Sequence, residues 1–268
     1  MPIYLDLPLV IDTQGKDVYL FLIELKDVPG ALEKLTNVIA ENNIDIRSTI
    51  LIPSVEKIGT GHALMYMDFN RSNITPQKLS RKIKELDVVL NVDYEAPKYG
   101  NYIVNTFSFP LGVMRERAVI FRVDWLRNLF KRFEKKFGSG GKTFLFYMGL
   151  EGGRSAAAEI REKTKLTGKE LVEAILKMLQ ALGHGIFKIE KCDLEKLEII
   201  ITAKELYECL PSNKDIDEGS QFFRGYLSGV LTEAFKQDLV AMEVKCISRG
   251  DQYCEFHAQK TKYTKWLS

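Results

Sequence analysis

The sequence has 268 residues, 46% of them hydrophobic and 28% charged, which is a globular composition long enough for two domains of ordinary size. Its 38 basic and 36 acidic residues leave a formal net charge of +2, so bulk electrostatics give no reason to expect direct nucleic-acid binding. No apolar run approaches the ~20 residues of a transmembrane helix. The opening MPIYLDLPLVIDTQGKD lacks the basic and apolar blocks of a signal peptide, so a cytoplasmic chain with no membrane partner is expected.

The first third reads as alternating strands and helices. Residues 17–26 (DVYLFLIELK) are apolar and β-prone, as a buried strand requires. Asp27-Val28-Pro29-Gly30 is a turn, and residues 30–42 then place Leu32, Leu35, Val38 and Ile39 on one helical face. Asn42-Asn43 stops that helix. Strands follow at 44–53 and 60–69. Thr75 caps a second helix whose first position is Pro76, and 88–94 is a closing strand. The order βαββαβ is the ferredoxin-like split unit.

The run from Leu25 to Leu32, an acidic residue followed by Pro-Gly-Ala-Leu, continues into Ile44-Asp45-Ile46. It resembles the signature of ACT domains over about residues 17–95, and the first domain is placed at 1–95. The resemblance implies dimerisation and an amino-acid ligand near the glycine turn. Asp27, Gly30 and Ala31 are then the expected ligand contacts. Gly30 lacks a Cβ, and the helix start offers free N–H groups to a carboxylate. Asp27 serves either as partner of a ligand amine or as a helix cap. The plainer alternative gives Gly30 to the turn and Asp27 to the cap alone.

Residues 96–110 (APKYGNYIVNTFSFP) hold two prolines and no helical period, and read as a linker to a second domain at 111–268. Its expected elements are helix 124–137, strand 143–149, helices 153–163 and 167–182, strands 185–191 and 195–202, helix 217–236, and strands 239–248 and 253–258. Thr167 and Glu170 form a capping-box pattern, and Gly183 stops that helix. Helices and strands mix without strict βαβ alternation, so the second domain is α+β with an antiparallel sheet. Gly138-Ser139-Gly140-Gly141-Lys142-Thr143 is not a phosphate loop, because residue 136 is Lys and the expected order is helix, loop, strand. It reads as a flexible connector, and no nucleotide cofactor is expected. The basic run Arg127–Lys136 is an amphipathic helix, His62, His184 and His257 form no ligand pair, and no nucleophile–base set stands out.

Gly225 and Gly229 stand four apart in a helix, which makes a flat face for close approach despite a propensity cost of about 1 kcal/mol per glycine. Phe222, Phe223, Tyr226 and Phe235 accompany them, and core packing is the default role of such aromatics. Cys246 and Cys254 lie four residues either side of Gly250 in a Gly-Asp hairpin, placing them opposite each other. Together the Gly-Tyr-x-x-Gly helix and the Glu-x-x-Cys…Gly-Asp-x-x-Cys hairpin resemble the 4-vinyl-reductase-type domain, over about residues 110–260. That resemblance implies a small-molecule-binding module for an apolar or aromatic ligand, with Phe222 and Tyr226 as expected contacts and little catalysis.

Some members of that family bind zinc through the paired cysteines and a further cysteine ahead of the glycine helix. Ser220 and Gln221 stand where that cysteine is expected. Cys209 is the substitute, and Glu208 or His257 the fourth group. Zinc at Cys209, Cys246 and Cys254, a disulfide and free buried thiols all stay open. The richness in Lys, Glu and Ile is that of a thermophile, in which cytosolic disulfides occur.

The expectation is a non-catalytic, ligand-responsive homodimer of the kind found among archaeal regulatory proteins, acting on transcription through a partner. The alternatives are a tetrapyrrole or 4-vinyl reductase accessory enzyme and an assembly module.

Overall fold

The structure, a computed structural model, describes residues 3–54, 57–96, 98–193, 195, 198–210 and 219–260. The chain is α+β and divides into two compact units between Val119 and Ile120.

The first unit contains strands β1 (Val10–Asp12) and β2 (Val18–Lys26), helix α1 (Ala31–Glu41), strands β3 (Asp45–Pro53) and β4 (Thr60–Asp68), helix α2 (Pro76–Lys84) and strand β5 (Val89–Glu95). Four of the strands form an antiparallel sheet in the order β3-β4-β2-β5, so the βαββαβ order does produce a ferredoxin-like topology. Alternation along the strands buries both faces. Phe21, Ile23, Ala63, Met65 and Met67 pack against Leu35, Ile39, Leu79 and Ile83 of the helices. Leu20, Leu64 and Tyr66 point the other way. There they meet Ile103, in a small sheet formed by β1, β6 (Lys98–Tyr99) and β7 (Tyr102–Val104). Residues 98–104, read from sequence as part of a linker, thus cover the second face of the sheet. Buried Tyr66 donates its hydroxyl to the Pro8 carbonyl at 2.7 Å, and burial pushes its pKa up to about 12. A hairpin of β8 (Gly112–Val113) and β9 (Glu116–Arg117) follows.

Thr75 caps α2 as expected, its hydroxyl accepting from the Lys78 N–H at 3.3 Å, with Pro76 in the first turn. Asp27 is not a cap. The N-cap of α1 is Gly30 at φ +82°, a left-handed conformation that favours glycine, and no side chain caps that end.

The second unit opens with α3 (Val123–Phe137), α4 (Ser139–Thr164) and α5 (Gly168–Ala181). Strands β10 (Ile186–Asp193) and β11 (Glu198–Lys204), helix α6 (Gln221–Phe235), and strands β12 (Leu239–Lys245) and β13 (Cys254–Lys260) complete it. The sheet is antiparallel in the order β10-β11-β13-β12. The expected helix start at residues 217–218 and part of the expected strand at 195–202 lie outside the described residues.

The expectation of a glycine-rich connector leading into a strand at 143–149 is overturned, because α4 runs unbroken from Ser139 to Thr164. The aromatic run Phe144–Tyr147 is locally β-prone, but Gly141, Leu145, Gly149, Gly153, Ala157 and Ile160 recur every three or four residues and are all buried. Gly138, at φ +55°, makes the corner between α3 and α4. The Thr167–Glu170 capping box is not formed either. Thr167 is the N-cap without a side-chain hydrogen bond, and the helix is entered through Gly168 at φ +54°.

α6 is buried on nearly every side. Toward α4 it presents Gly225 and Gly229, and α4 answers with Gly149 and Gly153. A Cβ at Gly225 would land on the Phe146 carbonyl, and one at Gly153 on the Tyr226 carbonyl, so the two backbones touch. Toward the sheet, Ser228 Oγ accepts the Ala241 N–H at 2.9 Å, and Thr232 Oγ1 bonds both N–H and C=O of Leu239 at 3.1 Å. These hydroxyls occupy the free edge of β12, which would otherwise present unpaired backbone groups.

Candidate metal centre and ligand clefts

The hairpin β12–β13 is where the chemistry concentrates. Its ladder is regular to Glu243–Phe256 and then shifts, so that Lys245 pairs with Glu255 and Val244 is an extra residue. A bulge of this kind re-aims the side chains beyond it. Here it brings Cys246 beside Cys254, and it lets Glu243, three residues earlier, point to the same side. The turn is closed by Gly250 at φ +98° and by Asp251, whose carboxylate accepts the Cys246 N–H at 2.8 Å. The Gly-Asp pair of the motif therefore has a backbone role.

Cys246 Sγ and Cys254 Sγ are 3.9 Å apart, and all four cysteines of the chain are free. A disulfide, at about 2.05 Å, is not formed. The short turn Tyr207–Cys209 supplies Cys209, whose Sγ lies 3.8 Å from Glu243 Oε1. The donor atoms of Cys209, Glu243, Cys246 and Cys254 all fall within 4.8 Å of one another. A tetrahedral Zn–S length of about 2.3 Å requires S···S edges of about 3.8 Å, which the 3.9 Å pair matches. The three thiols are buried and Glu243 half-buried, so the set can hold a metal ion. The Ile247 N–H points at Cys254 Sγ at 3.5 Å, and the Ser220 N–H donates to Glu243 Oε2 at 2.7 Å, orienting both groups from outside.

Of the residues named from sequence, Cys209, Cys246 and Cys254 converge. The fourth group does not match the expectation of Glu208 or His257. Glu208 accepts the N–H groups of Phe222 at 3.0 Å and Phe223 at 2.8 Å and caps α6. Burial pushes its pKa up to about 8 against those two bonds. His257 falls on the outer face of β13, by alternation with inward Cys254, Phe256 and Ala258, and pairs with Glu255 at 2.8 Å. Glu243 is the group the sequence reading missed, although it is the glutamate of the Glu-x-x-Cys pattern. Only the bulge at Val244 brings positions three apart onto one face. Burial and the neighbouring Cys246 sulfur push its pKa up to about 7. Among the thiols, hydrogen bonds from Cys209 and Cys254 draw Cys246 far toward thiolate, while Cys209 is held protonated by the same bonds and by burial.

Phe222 stacks on Phe130 at 5.3 Å, and the ring of Tyr226 lies 3.7 Å from where a Cβ on Gly152 would sit. A cleft of about 430 Å³ opens between the first turns of α4 and α6, lined by Lys142, Phe146, Tyr147 and Arg224 among others but not by Phe222 or Tyr226. In the first unit a cleft of about 230 Å³ lies against Asp27, Ala31, Leu32, Pro53 and His62. It brings Asp27 and Ala31 together beside the glycine turn.

A family model described as the V-4-R domain matches residues 221–260, in the last part of the second unit. An uncharacterized protein of Methanocaldococcus jannaschii is 25% identical over 119 residues, 44% of this chain; the chain spans 65% of that relative's length. The phenol-responsive sensory domain of the transcription activator PoxR, solved with phenol, aligns at 11% identity and TM-score 0.44, covering 57% of this chain and 81% of that one. A vinyl-4-reductase family protein of Methanocaldococcus jannaschii aligns at 21% identity and TM-score 0.38, covering 54% and 85%. The ACT domain of a Chlorobium tepidum GTP pyrophosphokinase aligns at 19% identity and TM-score 0.25, covering 30% of this chain and all of that one.

Proposed function

We propose that the protein is a non-catalytic small-molecule sensor whose vinyl-4-reductase domain is pinned by one zinc ion at Cys209, Glu243, Cys246 and Cys254. The observation that carries this reading is the convergence of those four donors, three of which, Glu243, Cys246 and Cys254, lie on the segment that matches the vinyl-4-reductase domain. Three thiolates and one carboxylate form a closed tetrahedral set with no position left for substrate or an activated water, which is the pattern of structural zinc. Zinc supplies a cross-link there. The chain's own residues do the rest: Cys209 ties the turn after β11, Cys246 and Cys254 close the hairpin, and Glu243 links the hairpin to α6 through the Ser220 N–H.

The N-terminal unit joins this reading as an ACT-type module that dimerises and takes an amino acid in the cleft at Asp27 and Ala31. A regulatory output, including one on transcription, then passes through a partner protein. The test is a thermal-shift screen of the full chain against the common amino acids and a set of small aromatic compounds. Stabilisation by at least one compound of each class is expected. A melting curve unmoved by every compound contradicts the sensor reading.

A further inference from the structure

Arg224 is a half-buried cation that makes no ion pair among the described residues. It sits one turn into α6, with its guanidinium 5.1 Å from the ring centre of Phe146 and one nitrogen donating to Gln221 Oε1 at 2.9 Å. Its Nε is buried and has no hydrogen-bond partner among the described residues, and no carboxylate among them pairs with it. Leaving such a donor unmet costs about 1–3 kcal/mol, and more for a charged group. Burial accordingly lowers its pKa from the usual arginine value, opposed by Glu243 and Glu208 at longer range.

The side chain borders the cleft of about 430 Å³, within the range of roughly 300–1,000 Å³ typical of small-molecule sites. The same cleft is lined by a second cation, Lys142, by the rings of Phe146 and Tyr147, and by aliphatic Val240. Guanidinium presents a planar fork that matches a carboxylate, and the aromatic walls suit a flat apolar body beside it.

We propose that this cleft binds a small aromatic carboxylic acid, with Arg224 making the ion pair and Phe146 and Tyr147 flanking the ring. The proposal rests on the reading of the vinyl-4-reductase domain as a ligand-binding module and names the chemical class of its ligand. It gives the unpaired guanidinium its anion and uses apolar surface that a free inorganic ion would leave wet.

The test is calorimetric titration of the full chain with benzoate, with benzyl alcohol as the uncharged analogue, and with inorganic phosphate. Benzoate is expected to bind roughly tenfold more tightly than benzyl alcohol. Arg224→Gln is expected to abolish that difference while leaving benzyl alcohol binding and zinc content unchanged. Should Arg224→Gln fail to fold by circular dichroism, Lys142→Gln takes its place, and a several-fold loss of benzoate affinity supports the site while unchanged affinity overturns it. Phosphate binding as tightly as benzoate overturns the aromatic class. Benzyl alcohol bound as well as benzoate removes the ion pair but leaves the ligand-binding reading standing, and no binding by any probe removes both.

Discussion

The contact between α4 and α6 makes a quantitative prediction at Gly225. In an exposed helix, Gly→Ala stabilises by about 1 kcal/mol through helix propensity. At Gly225 the new methyl would stand 2.8 Å from the Phe146 carbonyl carbon and 3.0 Å from the Leu150 nitrogen, all backbone atoms that cannot swing aside. Relief requires the helices to part by about 1 Å, and a gap of that size forfeits up to about half of the dispersion energy of the atoms facing it. Overpacking of this kind costs about 1–3 kcal/mol, and the backbone contact puts the site at the upper end. Setting about 3 kcal/mol of strain against about 1 kcal/mol of propensity leaves a net loss of about 2 kcal/mol, a fall in Tm of roughly 4–8 °C. Urea unfolding followed by tryptophan fluorescence is the assay, since Trp125 and Trp266 both belong to the C-terminal part of the chain. Gly140→Ala is the control, because a Cβ there meets nothing within 4 Å and should be neutral or mildly stabilising. A Gly225→Ala protein as stable as wild type would refute the close-packing argument.

Other outcomes follow from single contacts. Thr75→Ala removes the hydroxyl that accepts the Lys78 N–H and should cost the N-terminal unit about 1 kcal/mol, read as a lower urea midpoint; an unchanged midpoint counts against the cap. His184 is half-buried against Tyr207, ring centres 5.1 Å apart, and burial lowers its pKa below the ordinary 6.5. The unfolded chain therefore binds its proton first as pH falls. The stability contributed by the neutral ring is complete above about pH 6.5 and is lost as pH drops toward the depressed folded value. Stability measured from pH 7.5 to 5 should fall less steeply in His184→Gln than in wild type, and identical slopes would contradict this assignment. Ser228→Ala leaves the Ala241 N–H without its acceptor and should destabilise by about 1–3 kcal/mol, seen as faster amide exchange at Ala241.

Where residues act through local rules, the sequence was readable. The βαββαβ order, the Thr75 cap and the pairing of Cys246 with Cys254 all rest on periodicity, a cap position and the spacing about one Gly-Asp turn. The glycines of α4 were not readable in that way. Gly140, Gly141 and Gly149 weaken a helix locally, and Phe144–Tyr147 favour a strand. What makes this stretch helical is a partner far along the chain, since Gly225 and Gly229 accept its backbone. The candidate metal donors divide along the same line. Two come from one hairpin and were visible. Cys209 arrives from a distant turn and was read only as the substitute for the cysteine missing ahead of the glycine helix. Glu243 is at an odd spacing from Cys246, which alternation alone puts on the wrong face until a one-residue bulge corrects it. Glu208 was a reasonable fourth ligand by its neighbour Cys209, but the open N–H groups of α6 take both of its oxygens.

The most direct test of the metal-pinned sensor is mass spectrometry of the freshly purified chain under native and then denaturing conditions. One zinc per chain, released on denaturation and absent from Glu243→Gln or Cys209→Ser, is the predicted result. A native mass equal to the bare polypeptide, with Cys209, Cys246 and Cys254 all reacting as free thiols once unfolded, would contradict the account.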